Sequence, residues 1–408
     1  MNMSFDTMKE NKPLQDIKVL EFGSFIAGPF CSRLMADFGA EVIKIESPTN
    51  GDPLRNWGSA KYKGESLWWP IQARNKKCIT LNLKENKGQE IAKKLVKEAD
   101  IVVENFRPGT MEKWGLGYEE LNEINPSLIM VRISGFGQTG PYKDKAGFGS
   151  VGEAMGGLKH ITGYPDRPPT RVGVSIGDSL TAMFGVIGAL IALHHRNQSP
   201  DRCGQLVDTA LYESVFAIME SSLTEYMKVG AIRQRTGTIL PGVAPTNNYP
   251  TKSGKWIVIG ANADNIFKRL TKVMDREELS RDDKFSSHNA RGANQEELDN
   301  IIGEWTVQYE LDELTEMLDQ AGVPAGGIYT AEDIANDIHY QMRDMILQIT
   351  DKKLGELHMP GIVPKLSETP GTVEWAGPEL GEHNEEVFKR ILGYSNKEYK
   401  ELKEKGVI

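Results

Sequence analysis

The chain has 408 residues, too many for one ordinary domain and enough for two or three. Its 48 lysines and arginines against 57 aspartates and glutamates leave a formal net charge of −9, which argues against generic nucleic-acid binding. With 39% hydrophobic and 26% charged residues it has an ordinary globular composition rather than a disordered one.

The opening segment, Met1 to Pro13, is polar and lacks the basic-then-apolar pattern of a signal peptide. Ile17 to Phe22 is a β-rich apolar run. After Gly28-Pro29, a favourable helix start, Cys31, Leu34, Met35 and Phe38 fall at helical spacing. Val42 to Ile45 and Ile79 to Leu83 read as strands, Ile91, Leu95 and Val96 mark an amphipathic helix, and Ile101 to Val103 and Leu128 to Ile133 are further strands. Alternating strands and helices predict βαβ units and a largely parallel sheet covered on both faces. Ligands of such sheets sit beyond the carboxyl ends of the strands.

Residues 135–178 form a Gly/Pro-rich segment with little periodicity, of a length that is usually functional or contains short unrecognised elements. Two helical patterns follow, Ser179 to Arg196 and Asp208 to Lys228. The most apolar stretch, Leu180 to Leu193, is 14 residues and short of the ~20 that span a bilayer, so it reads as a buried helix and no membrane partner is expected. A second unit begins near Tyr249 with a strand at Trp256 to Ile259, a helix from Asp264 and a charged helix near Leu311 to Leu318. The expected domains are a large domain over 1–200, a helical linker over 201–245, a small domain over 246–330, and a return linker with the rest of the large domain over 331–408. Cys31, Cys78 and Cys203 are scattered and have no metal-ligand spacing, as reduced thiols of a cytoplasmic protein would be.

Three motifs mislead. Gly135-Phe136-Gly137-Gln138-Thr139-Gly140 satisfies G-x-G-x-x-G after a strand, but no helical periodicity follows to carry a dinucleotide. Gly173-Val174-Ser175-Ile176-Gly177 matches the nucleophile elbow G-x-S-x-G, which makes an acyl-CoA hydrolase using Ser175 an alternative reading. His194-His195 are adjacent on a helix and point apart, so no shared metal is expected there or elsewhere. Asp178 stands directly after the elbow-like motif and before the apolar helix. It reads either as an N-cap or as a carboxylate nucleophile held ionised by the helix dipole. Arg74 to Lys77, and Asn105 to Gly109 with Lys113, place basic groups near strand ends, where they suit a polyphosphate.

Val103 to Gly109, Ser134 to Pro141 and Gly177-Asp178, with Gly28-Pro29, Gly39 to Glu46 and Leu380 to His383, strongly resemble the class III CoA-transferases, the family of formyl-CoA transferase and crotonobetainyl-CoA:carnitine CoA-transferase. The resemblance spans essentially the whole chain. It implies an α/β fold with a Rossmann-like large domain and a smaller α/β domain, in an interlocked homodimer. Asp178 falls at the catalytic aspartate, forming a mixed anhydride and then an aspartyl-CoA thioester. Ile26, Ala27, Leu81, Lys84, Asn105, Phe106, Arg107, Lys113, Ala146 and Phe148 fall at CoA-contacting positions. Gly135, Gly137, Gln138 and Gly149 form the expected oxyanion and acceptor loop. Ser47 replaces a basic residue, and Gly149 replaces an acidic residue of many relatives. Phe148 stands where the similar α-methylacyl-CoA racemases need a histidine, and a phenyl ring cannot exchange a proton. Acyl-CoA and small carboxylates are the implied substrates, with no permanently bound cofactor. Gly147 to Ser150 with Glu220 to Tyr226 look like the branch that uses succinyl-CoA with malate or citramalate. A non-catalytic acyl-CoA-binding protein is the reading from another class.

Overall fold

A computed structural model describes residues 12–408, so residues 1–11 of the polar opening segment lie outside the described residues. Six strands form one sheet: Lys18–Glu21 (β1), Glu41–Glu46 (β2), Lys76–Thr80 (β3), Ile101–Glu104 (β4), Ile129–Ser134 (β5) and Leu206–Ala210 (β6). They are all parallel, in the order β3-β2-β1-β4-β5-β6. The chain thus builds outward from β1 in one direction, then returns beside it as β4 and builds in the other, leaving a crevice where the order reverses.

Alternation along the strands splits the apolar residues between two faces. Leu20, Ile43, Val102 and Met130 face the helix Asn86–Val96 through Ile91 and Leu95, together with Val387 and Phe388 of the returning C-terminal segment. Val19, Val42, Ile101, Val103 and Val131 face the other layer, which holds Ala27–Asp37 (α1) and a helix spanning Ile176–Gln198.

Two expectations are corrected here. The pattern over Asp208 to Lys228, within the segment expected to be a helical linker, begins with strand β6, because Leu206 to Ala210 pair with Met130 to Ser134 at the sheet edge. The apolar stretch Leu180 to Leu193 belongs to a helix of 23 residues, long and apolar enough to cross a membrane. Its buried face carries small residues (Thr181, Ala182, Gly185, Ala189, Ala192), whereas Met183, Ile187, Leu190 and Ile191 are 40–63% exposed. Small side chains let the helix sit close on the sheet, and the large ones, Leu193 excepted, are not buried, so it is not the buried helix the periodicity suggested.

The chain divides into two compact units, residues 12–158, 172–224 and 341–408 in the first, and 159–171 and 225–340 in the second. The second has a three-stranded antiparallel sheet, with Trp256–Gly260 between Thr246–Pro250 and Ala325–Gly327. Its core joins Tyr249, Ile257 and Ile259 to Phe267, Leu298 and Leu314 of flanking helices.

At the carboxyl end of β1 the fully buried Glu21 is paired with Lys44 at 2.5 Å and Lys76 at 2.7 Å, one lysine from each of the next two strands. Burial alone would raise this carboxyl, but the two ammonium groups overcome it and hold it down to about 2. Glu21→Gln leaves the buried Lys76 charge without a carboxylate partner and leaves Lys44 only Asp52, so the urea-unfolding stability should drop by about 3–5 kcal/mol. A loss below about 1 kcal/mol would show that the group behaves as a solvated surface pair.

Candidate active site

Each half of the site is a loop leaving the carboxyl end of a parallel strand. The loop after β1 runs through Gly23, Ser24, Phe25, Ile26 and Ala27 into α1. Phe25 adopts φ 65°, a left-handed conformation unusual for a phenylalanine. Four contacts hold the loop in place. The Phe25 amide donates to Asp52 at 3.1 Å, Lys44 to the Gly23 carbonyl at 2.8 Å, and Lys76 to the Pro29 carbonyl at 2.7 Å. The fourth is Asn105, which follows β4 and clasps Ser24 in both directions, accepting from its amide at 2.8 Å and donating to its carbonyl at 2.9 Å. The Asn105 amide therefore joins the two strand ends across the crevice rather than standing free for a ligand.

Two cavities open at these strand ends. One, of about 140 Å³, is lined by Phe22 to Ser24, Lys44 to Ser47, Leu81 to Lys84, Phe106 and Trp114. The other, of about 190 Å³, is lined by Phe25 to Ala27, Asn105 to Pro108, Ile133 to Gly135, Lys145, Gly147 to Gly149, Leu211 and Asp178. Of the residues singled out from the sequence, Ile26, Ala27, Asn105, Phe106, Arg107, Gly135, Phe148, Gly149 and Asp178 thus meet in one cavity, and Leu81 and Lys84 in the other, with Phe106 on both walls. Lys113 and Ala146 line neither.

Asp178 is the third residue of the helix Ile176–Gln198. The N-cap is Ser175, so the capping role considered for Asp178 does not hold. Its carboxylate lies against the first residue of the short helix Gly149–Met155. A Cβ on Gly149 would stand 2.3 Å from Oδ2 and 2.8 Å from Cγ of Asp178, so only glycine leaves the carboxylate where it is. Burial first, and then the nearby carboxylate of Glu153, raise Asp178 to about 6, still ionised at neutral pH.

The oxyanion expectation for Gly137 and Gln138 is corrected. Their amides donate to the Ser134 hydroxyl at 2.9 Å and to Asp208 of β6 at 2.8 Å, which leaves neither turned to the cavity. Gly135 and Gly149 do line it, and Gly147 packs so closely on Gly135 that a Cβ on either of these two would meet the other's Cα within 2.6 Å.

Sequence reading missed four contributors. Phe25 packs against Trp57 at 5.2 Å and Phe148 at 6.5 Å, forming an aromatic wall. Lys145 adds a second cation beside Arg107, whose guanidinium donates to the Asp144 carbonyl at 2.9 Å. Asp52 holds Phe25, and Glu153 neighbours Asp178. Phe25 directly precedes the Ile26-Ala27 pair and was within reach. The other three had no local signal.

A strand-end crevice with an aspartate in the first turn of a helix, two cations on its wall and a second cavity sharing Phe106 suits an extended anionic ligand. A model of CoA-transferase family III matches residues 14–384, and the chain belongs to that family. It is 57% identical over 397 residues to succinyl-CoA–D-citramalate CoA-transferase of Chloroflexus aurantiacus, across 97% of this chain and 98% of that one. It is 40% identical over 399 residues to the beta subunit of succinyl-CoA–L-malate CoA-transferase from the same organism, across 97% and 98%. The crystal structure of a CAIB/BAIF family protein from Brucella suis superposes with a TM-score of 0.84 at 33% identity, covering 93% of this chain and 100% of that one. The chain is a CoA-transferase.

Gly149→Ala tests the close approach. The fold should survive, since the backbone there is not left-handed, but the displaced carboxylate should cut CoA transfer about a hundredfold. Wild-type turnover in a folded Gly149→Ala protein would show that Asp178 does not work from this position.

Proposed function

We propose that this enzyme moves CoA from succinyl-CoA to a hydroxy-dicarboxylate such as citramalate, with Asp178 as the covalent nucleophile. The observation that carries the catalytic part is the half-buried Asp178 carboxylate, held off its own helix end and opening into the cavity walled by the family's loops. The substrate part rests on the likeness to the citramalate and malate enzymes. An Asp178 oxygen attacks the thioester carbonyl carbon, the C–S bond breaks, and the electron pair leaves on sulfur as CoA thiolate. The thiolate attacks the aspartyl carbonyl of the resulting anhydride, releasing succinate and leaving an aspartyl thioester. The acceptor carboxylate and then CoA repeat the two exchanges in reverse. Each step trades a carboxylate for a thiolate or the converse, so no proton need move, and thioester energy is retained.

Arg107 and Lys145, the cations of this cavity, suit the anionic ligand. Of the expected CoA contacts, Lys84 and Leu81 suit its nucleotide end; Lys44 is engaged by Glu21 and Asp52. A serine hydrolase built on Ser175 is disfavoured. Ser175 has an ordinary φ of −79° rather than a strained elbow, and no histidine lines the cavity. Phe148 on the wall likewise disfavours racemisation.

The strand order supports a Rossmann-like large domain completed by the C-terminal segment. The exposed row Met183, Ile187, Leu190 and Ile191 supports a homodimer that covers it, in the interlocked arrangement the family implies. The free cysteines Cys31, Cys78 and Cys203 support a reducing, cytoplasmic setting. An interlocked dimer should persist in mass photometry at nanomolar concentration, and a folded monomer there would exclude interlocking.

Asp178→Asn should fold and bind succinyl-CoA but lose transfer, while Ser175→Ala keeps it. Because the ionised carboxylate is the reactive form, kcat/KM should be flat above a pH of about 6 and fall about tenfold per unit below it. Hydroxylamine should release an adduct mapped to Asp178. Active Asp178→Asn with inactive Ser175→Ala would overturn the assignment.

A further inference from the structure

An aspartate in the first turn of a helix ordinarily folds back to the free backbone amides and the positive end of the dipole. Asp178 does not. The amide of Gly177 donates instead to Oε1 of Glu153 at 3.4 Å. Glu153 belongs to the neighbouring helix Gly149–Met155, is 2% exposed, and its chain lies against Gly177, where an added Cβ would meet its Cγ at 3.1 Å. No lysine or arginine pairs with it among the described residues. The other charged groups on the cavity wall are Arg107 and Lys145, while the helix Leu211–Phe216 contributes Leu211.

We propose that Glu153 is a positioning residue for the transfer reaction. It occupies the free end of the Asp178 helix from outside, and its charge keeps the Asp178 carboxylate turned toward the cavity and Gly149. This rests on the reading of Asp178 as nucleophile. An unscreened like charge beside the nucleophile also makes Asp178 more basic, which favours attack on a thioester carbon. Glu153 thereby does two separable things, one through its hydrogen bond and one through its charge.

Two substitutions in the full-length protein separate them. Glu153→Gln keeps an acceptor for the Gly177 amide and removes the charge; Glu153→Ala removes both. Carbon-13 NMR of aspartate carboxyl groups, with Asp178 assigned by Asp178→Asn, reads its titration without turnover. Single-turnover mixing with succinyl-CoA reads formation of the Asp178 adduct. In Glu153→Gln the titration should move to lower pH, and adduct formation should slow about tenfold with unchanged succinyl-CoA binding. In Glu153→Ala it should slow about a hundredfold. An unmoved titration with wild-type rates in folded Glu153→Gln overturns the proposal, and that variant decides alone should Glu153→Ala fail to fold. A wild type that forms no adduct while its titration still shifts in Glu153→Gln overturns the nucleophile reading and retains the coupling of the two carboxylates.

Discussion

The site depends first on one buried carboxylate. Glu21 closes strand β1 with its charge fully removed from water, and it stays ionised because Lys44 and Lys76 reach it from β2 and β3. Each lysine then donates a further hydrogen bond to the chain leaving β1, one to Gly23 and one to Pro29. The loop between those residues lines the cavity. Removing charges from water is costly and is offset only by good geometry and complete hydrogen bonding. That same demand makes the group a rigid staple: three neighbouring strands and both ends of the loop must stay together for the charges to remain paired. The left-handed Phe25 persists in this over-determined setting.

Asp178 is set up by the opposite arrangement. Where Glu21 is surrounded by cations, Asp178 faces burial and a second carboxylate, and is raised rather than lowered. The contrast suits a structural role for Glu21 and the nucleophilic role proposed for Asp178. A structural carboxylate is best held at the bottom of its energy well, while a nucleophilic one needs basicity that its surroundings have not absorbed. Phe25 and Phe148, packed edge to face, give the cavity that holds the aspartate an apolar wall.

The helix that carries Asp178 also explains an apparent inversion of the hydrophobic pattern. Its small residues are inside because the sheet and α1 approach it closely, while Met183, Ile187, Leu190 and Ile191 are outside and, of its large apolar residues, only Leu193 is fully buried. The placing of Asp178 against Gly149 at one end of this helix and an uncovered apolar surface along its length both follow from how the helix packs.

By itself the sequence determined five of the six strands of the parallel sheet and the helices among them, because alternation and helical spacing are local properties of residues such as Val19 to Phe22 and Ile91 to Val96. It also determined the family, whose motifs are contiguous, and singled out Asp178 as the candidate nucleophile. Only the tertiary structure decided what those residues do. Leu206 to Ala210 is a strand because β5 offers it an edge, which no local pattern records. The amides of Gly137 and Gln138 turn away from the cavity because Ser134 and Asp208 accept them, the second from 70 residues further on. Asn105 joins strand ends through Ser24, at a separation of 81 residues. Glu153 reads as an ordinary charged residue until the fold buries it beside Gly177. Hydrogen bonds and buried charges pair groups by distance in space, and distance along the chain carries almost no information about that.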